Sequence, residues 1–265
     1  MKDATAETSQ PFYLQVGDEV EVFESAWACR RAVMLKGPTG CGKTRFVEAM
    51  AARLGRPLIT VSCHEDLTAA DLLGRFQLTG GDTVWQDGPL TRAVRTGAIC
   101  YLDEVIEARM DTTVVIHALT DHRRELNLDR RNEVLSAPLE FMLVVSYNPG
   151  YQSVLKDLKP STRQRMVAIE LTFPAPEIER KVILMETGLD EKRTEDLVRL
   201  AQAIRQLDMP QLPEVCSTRT LIAAAALIKS GLDPIKAVNA AIVRPLSDDP
   251  AVSRSLIEMA ATYIS

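Results

Sequence analysis

The chain has 265 residues, 46% of them apolar, enough for a sizeable core and for one large domain, or a larger one with a small companion. Its 31 basic and 36 acidic residues give a net charge of −5, and the doublets Arg30-Arg31, Arg123-Arg124 and Arg130-Arg131 do not merge into a long cationic run. Nucleic acid is therefore not the first partner to propose, although a folded patch could assemble from distant positions, and the lack of a long apolar run or a leader-like N-terminus argues for a cytoplasmic protein with no membrane span.

After a polar tail over residues 1–10, expected to be flexible, "GDEVEVFESAWACR" predicts a short amphipathic helix and "AVMLKG" a buried strand. "TRFVEAMAARLG" has helical spacing and stops at Gly55. "PLITVSC" reads as a second strand and "GAICYLDE" as a third that ends in two carboxylates. "DTTVVIHALTD" is predicted helical, "EFMLVVSYNPG" is a fourth strand closed by Asn-Pro-Gly turn chemistry, and "MVAIELTF" is a fifth before Pro174. Turn formers between short alternating segments predict two inserted hairpins, over 78–88 and 124–136, which are surface loops or contacts for partners.

Strands and helices alternate to about residue 173, which argues for a parallel sheet covered on both faces. Beyond Pro174 "APEIERKVILMETG", "EKRTEDLVRLAQAIRQL", "STRTLIAAAALIKSG", "DPIKAVNAAIV" and "DPAVSRSLIEMAATYI" all read as helices. The expected organisation is an α/β nucleotide-binding domain over 1–173 and a small all-helical domain over 174–265.

"GPTGCGKT" fits GxxxxGK[ST] between a strand and a helix, where the pattern has physical meaning. Gly37, Pro38, Thr39, Gly40, Cys41 and Gly42 let backbone N–H groups point at phosphate oxygens, and the helix adds its positive end. Lys43 neutralises charge on the outer phosphates of a nucleotide such as ATP, and the Thr44 hydroxyl can ligate Mg2+. The alternative is a mere glycine turn. A dinucleotide fingerprint does not fit, because Arg45 stands where its last glycine would fall.

Asp103 and Glu104 end a buried strand, where open α/β sheets bind ligands. Asp103 would hold magnesium through water, and Glu104 would polarise a water for attack on the terminal phosphate. Alone, such a pair reads as a helix cap or solvated turn. Asn148 ends the next strand with an amide that can reach the attacking water or the phosphate, or forms an ordinary Asn-Pro turn. His64, His117 and His122 lack ligand spacing, and the five cysteines, without a CxxC pair, read as mostly buried free thiols. Trp85 either anchors a partner or folds back on the core.

With these motifs in place the chain resembles an AAA+ ATPase, with Walker A at Gly37–Thr44, Walker B ending in Asp103 and Glu104, and sensor 1 at Asn148. The resemblance supplies further roles. An arginine in "KPSTRQRM", Arg165 or Arg163 with Arg165 preferred, would reach the nucleotide of a neighbouring subunit, and Arg219 in "STRT" would be the sensor 2 arginine of the helical lid. "DLTAADLLGRF", "TVWQDGPLTRAVRTGAICYLDEV" and "LVVSYNPGYQSVLKDLKPSTRQRM" resemble the MoxR branch and its CbbQ/NorQ/NirQ group, although Met166 departs from the phenylalanine expected after the finger arginine. The resemblance implies a ring, usually a homo-hexamer. It also implies a partner bearing a von Willebrand factor A domain, of the CbbO or NorD type, and a protein target. CbbQ-type members remodel inhibited Rubisco so that sugar phosphates leave, and this is the first expectation; NorQ-type members help to insert or activate the metal centre of nitric oxide reductase. A nucleic-acid motor or loader and a non-hydrolysing scaffold ring are the other readings, disfavoured by the acidic charge and by the intact Asp103-Glu104 pair.

Overall fold

The computed structural model describes residues 11–109, 112, 114–148, 160–207 and 215–264. The tail over 1–10, the turn after Asn148 and the start of "KPSTRQRM" lie outside them. Contacts divide the chain into two units, one of residues 1–37 and 43–170, the other of 38–42 and 171–265.

In the first unit, helix α1 (Glu19–Ala28) leads to β1 (Val33–Lys36), whose Val33, Met34 and Leu35 are all buried. Helix α2 (Lys43–Arg53) turns Phe46, Val47, Met50 and Ala51 inward at helical spacing, and β2 (Leu58–Ser62) follows. The strands β5 (Ile99–Asp103), β8 (Met142–Tyr147) and β9 (Val167–Glu170) complete a five-stranded sheet in the order β2-β5-β8-β1-β9, every neighbouring pair parallel. All six residues of β8 are buried, as expected for a central parallel strand covered on both faces. Phe23 of α1 meets Phe46 of α2 edge to face with centroids 5.4 Å apart, and burying such a ring contributes roughly 1.5–3 kcal/mol.

Between β2 and β5 lie α3 (Ala69–Leu73), the strands β3 (Gly74–Thr79) and β4 (Asp82–Asp87), and α4 (Pro89–Thr96). The strands β3 and β4 form the first hairpin, closed by Gly80 and Gly81 at φ 63° and 96°, the positive angles that a two-residue turn demands. The hairpin starts at Gly74, ahead of the expected residue 78, because the Arg75-Phe76-Gln77-Leu78 alternation already pairs across to Thr83–Gln86. Helix α4 was not among the expected elements, although Pro89 in its first turn and left-handed Gly97 after its end are ordinary start and stop signals. The second hairpin, β6 (Glu125–Leu128) with β7 (Glu133–Ser136), falls within the expected 124–136.

The helix expected over "DTTVVIHALTD" does not form as one element: among the described residues, 112 and 114 are helical, turns follow, and a single 3-10 turn spans His117–Leu119. The run of β-branched Thr112 to Ile116 loses side-chain freedom in a helix, which favours the break. A short α5 (Pro160–Arg163) precedes β9.

The second unit has no strand among its described residues. It comprises α6 (Pro176–Thr187), α7 (Glu191–Arg205), α8 (Thr218–Lys229), α9 (Pro234–Val238), α10 (Arg244–Leu246) and α11 (Pro250–Tyr263). Asp190, Ser217, Asp233 and Asp249 cap α7, α8, α9 and α11 by accepting backbone N–H bonds. A π-helical turn at Asn239–Val243 separates α9 from α10, so "DPIKAVNAAIV" is not one regular helix. Pro245, just beyond, has no N–H to give and in an α-helix its ring would strike the Ala241 carbonyl. Ile183, Leu197, Leu200, Leu221, Ala225, Val238, Ile242 and Leu256 form the unit's core. No described helix is long and apolar enough to cross a membrane.

Candidate functional site

The parallel register sets three strand ends at one level. Lys36 of β1 pairs with Tyr147 of β8, and Leu102 of β5 pairs with Val145, so the residues leaving these strands meet at the carboxyl edge of the sheet. Lys43, in the first turn of α2, is only 7% exposed, and its ammonium has to be compensated. It donates to the Gly37 carbonyl at 2.8 Å and to Asn148 Oδ1 at 2.6 Å. The same amide faces Glu104 with its nitrogen, Nδ2 donating to Oε1 at 3.4 Å. A cation on one side and a carboxylate on the other fix which way this amide points. Asn148 therefore links the phosphate-loop lysine to the second acid, as its position on the strand adjacent to β5 implied.

Asp103 is held by three hydroxyls. Tyr101 and Ser146 each donate to Oδ1 at 2.6 Å, while Thr44 Oγ1 stands 3.4 Å from Oδ2. Tyr101 is buried, and burial with the adjoining carboxylate raises its pKa, so it remains a donor at neutral pH. Glu104 is exposed and left-handed, at φ 55° and ψ 48°, a conformation costing roughly 1–2 kcal/mol for a residue with a Cβ. Its N–H donates to Ser146 Oγ at 3.0 Å. Cys63 lies close by, its thiol pushed up to about 12 by burial and by the charges of Asp103 and Glu104, so it is no nucleophile. The sequence reading missed Tyr101 and Ser146; the available signal was that Tyr101, two residues before Asp103, shares its face of β5.

Replacing Asn148 by Ala removes the amide's bonds to Lys43 and Glu104, while the bond of Lys43 to the Gly37 carbonyl remains. Turnover should fall on the order of tenfold to a hundredfold while nucleotide affinity changes less than about threefold, measured by phosphate release beside fluorescent-ADP titration.

The loop apex, residues 38–42, groups with the helical unit. A Cβ on Gly40, whose φ is +74°, would lie 2.6 Å from both Cβ and Oγ of Ser217 and 3.4 Å from Cβ of Arg219. Ser217 caps α8 through its hydroxyl and cannot simply swing away. Gly40→Ala is therefore expected to cost about 2 kcal/mol or more in thermal or urea unfolding, from the strained φ and the clash together. Arg219 stands beside this apex, at the start of α8. Arg165 is placed elsewhere: its guanidinium donates to the His117 carbonyl at 3.4 Å and lies 3.6 Å from Asp121. Arg163 ends α5.

Trp85 is half-buried and makes its described contacts within the two hairpins. Its Nε1 donates to Asp87 at 2.6 Å, its ring meets Phe76 edge on at 5.1 Å, and the Arg131 guanidinium from the other hairpin sits 5.8 Å from its centroid. Arg95 joins the hairpins again, bridging Asp87 at 2.8 Å and Glu133 at 2.9 Å.

The AAA domain (dynein-related subfamily) family matches residues 32–166, and the CbbQ/NirQ/NorQ C-terminal family matches residues 179–263. Protein NorQ of Paracoccus denitrificans is 61% identical over 95% of this chain and 93% of its own length. The denitrification regulatory protein NirQ of Pseudomonas aeruginosa is 57% identical over the whole of both chains, and protein CbbQ of Hydrogenophilus thermoluteolus is 56% identical over 97% of this chain and 96% of its own. Among solved structures, a Thermotoga maritima RuvB mutant superposes with a TM-score of 0.57 at 14% identity over 92% of this chain and 70% of that one, a likeness of fold alone. NtrX from Brucella abortus in complex with ADP superposes with a TM-score of 0.56 at 18% identity, over 86% of this chain and 53% of that one.

Proposed function

Since the chain belongs to the CbbQ/NirQ/NorQ family of AAA+ ATPases, which bind nucleotide and hydrolyse ATP, we propose that it is a ring-forming, cytoplasmic motor that remodels a protein target. The observation that carries the reading is the chain of contacts from Lys43 through Asn148 to Glu104, which joins a phosphate-binding cation to a base at one sheet edge. Residues 1–173 would be the nucleotide-binding domain and 174–265 the lid.

The loop from Gly37 to Gly42 and Lys43 would hold the phosphates, and Lys43 is compensated by groups it can exchange for phosphate oxygens. A hydroxyl and a carboxylate oxygen, Thr44 Oγ1 and Asp103 Oδ2, form a hard-oxygen pair suited to Mg2+. When bound there the ion would neutralise phosphate charge. Asn148 would orient the attacking water and Glu104 accept its proton. Arg165, or Arg163, would act on the nucleotide of the adjacent subunit in a homo-hexamer, and Arg219 on that of its own.

The partner in this reading carries a von Willebrand factor A domain of the CbbO or NorD type. Rubisco, freed of inhibitory sugar phosphates, is the first target. Nitric oxide reductase is the second reading, since protein NorQ at 61% and protein CbbQ at 56% are both near relatives of the chain. The test adds the chain, its partner and ATP to sugar-phosphate-inhibited Rubisco and, separately, to metal-deficient nitric oxide reductase. Recovered carboxylation supports the first reading. Recovery of only the reductase supports the second, and recovery of neither by an assembled, ATP-hydrolysing complex contradicts both.

A further inference from the structure

We propose that Ser146 and Tyr101 are positioning residues that assign different duties to the two oxygens of Asp103 and, through Ser146, hold the backbone of Glu104. This rests on the hydrolysis reading above.

A carboxylate at a strand end rotates about its last bond unless something pins it. Here both pins fall on one atom. Tyr101 and Ser146 each donate to Oδ1 at 2.6 Å, the short separation of a hydroxyl bonded to a charged acceptor. Oδ1 is thereby taken up by protein donors, and Oδ2 is left on the Thr44 side, 3.4 Å from its hydroxyl. Tyr101 and Ser146 are both 0% exposed, so the two donors are shielded from water. The strands enforce the arrangement. Tyr101 and Asp103 share a face of β5, and the pairing of Leu102 with Val145 brings Ser146 level with Asp103.

Ser146 makes a second bond that ties the acids together. Its hydroxyl donates to Asp103 Oδ1 at 2.6 Å, and its oxygen accepts the N–H of Glu104 at 3.0 Å. That N–H belongs to the left-handed residue whose conformation carries Glu104 out of the line of the strand. One buried hydroxyl thus sets the rotation of the first carboxylate and supports the strained backbone of the second. Neither role needs contact with nucleotide.

Ser146→Ala, Ser146→Thr and Tyr101→Phe are compared with the parent and with Glu104→Gln. Four quantities are read: kcat, the Mg2+ concentration giving half-maximal turnover, fluorescent-ADP affinity in EDTA, and the melting temperature. Ser146→Ala is expected to lower kcat about tenfold or more and raise the Mg2+ requirement about fivefold, with ADP affinity in EDTA within about twofold of the parent. Ser146→Thr, which keeps the hydroxyl, should restore most of both. Tyr101→Phe should raise the Mg2+ requirement with a smaller loss of kcat, since Ser146 still holds Oδ1.

A purely structural role would lower the melting temperature and leave the Mg2+ requirement alone. The proposal is overturned if Ser146→Ala keeps kcat and Mg2+ requirement within twofold of the parent while Glu104→Gln is inactive. If Ser146→Ala does not fold, Tyr101→Phe decides, and an unchanged Mg2+ requirement there overturns it equally. Parental turnover by Glu104→Gln would instead strike at the hydrolysis reading itself.

Discussion

Glu104→Gln is expected to bind ATP within about threefold of the parent affinity and to hydrolyse it at least a hundredfold more slowly, the lower range for losing a general base. The substitution keeps the shape of the side chain and removes its capacity to take a proton. Glu104 is exposed at the carboxyl end of β5, and its Oε1 is the acceptor for Asn148 Nδ2 at 3.4 Å. Lys43 donates to Asn148 and to the Gly37 carbonyl, bonds that the change at Glu104 leaves in place. Binding and turnover should therefore separate. Turnover within threefold of the parent would mean that another group activates the water.

Arg205→Met should destabilise the helical unit by about 3–5 kcal/mol, because it strands a charge that the fold has removed from water. Glu179 is fully buried and Arg205 is 10% exposed. The guanidinium donates to both carboxylate oxygens, at 2.8 and 2.7 Å, and to the Cys216 carbonyl at 2.7 Å, and it stacks 4.3 Å from the Phe173 ring. Thr218 adds a third donor to Glu179 at 2.6 Å. The contacts with Cys216 and Thr218 lie at the N-terminus of α8, so the pair also fixes the start of the helix that carries Arg219. Replacing both partners, Glu179→Met with Arg205→Met, should recover part of the loss, since no unpaired charge then remains. Urea unfolding of the full chain reads both effects. A single variant within about 1 kcal/mol of the parent would show that water still reaches the pair.

The sheet could be read from the chain because central parallel strands are continuous apolar runs. The runs "GAICYLDE" and "EFMLVVSYNPG" contain β5 and β8, each with a few residues to spare, and the phosphate loop announced itself by composition. Lateral partners could not be read. Ser146 lies 43 residues from Asp103, and Thr218 lies 39 from Glu179, so their meeting depends on strand register and helix packing that no local pattern records. The failed helix after Arg109 shows the other limit. Apolar spacing there imitated a helix, while five β-branched residues in succession resisted one. Helix α4 escaped for a different reason: its eight residues are too few for periodicity to stand out between a hairpin and a strand.

The proposed function has ATP hydrolysed at a site completed by two subunits, with Glu104 from one and Arg165, the preferred finger, from the next. Its most direct test is the rate of phosphate release from an equal mixture of Glu104→Gln and Arg165→Ala subunits, allowed to exchange into common rings. Each variant alone is expected to be inactive. In the mixture, an Arg165→Ala subunit retains its own Glu104, and a Glu104→Gln neighbour supplies Arg165. About a quarter of the head-to-tail interfaces are then intact, and turnover should recover toward that fraction of the parent rate. A mixture that assembles and remains as inactive as its components would contradict the shared site.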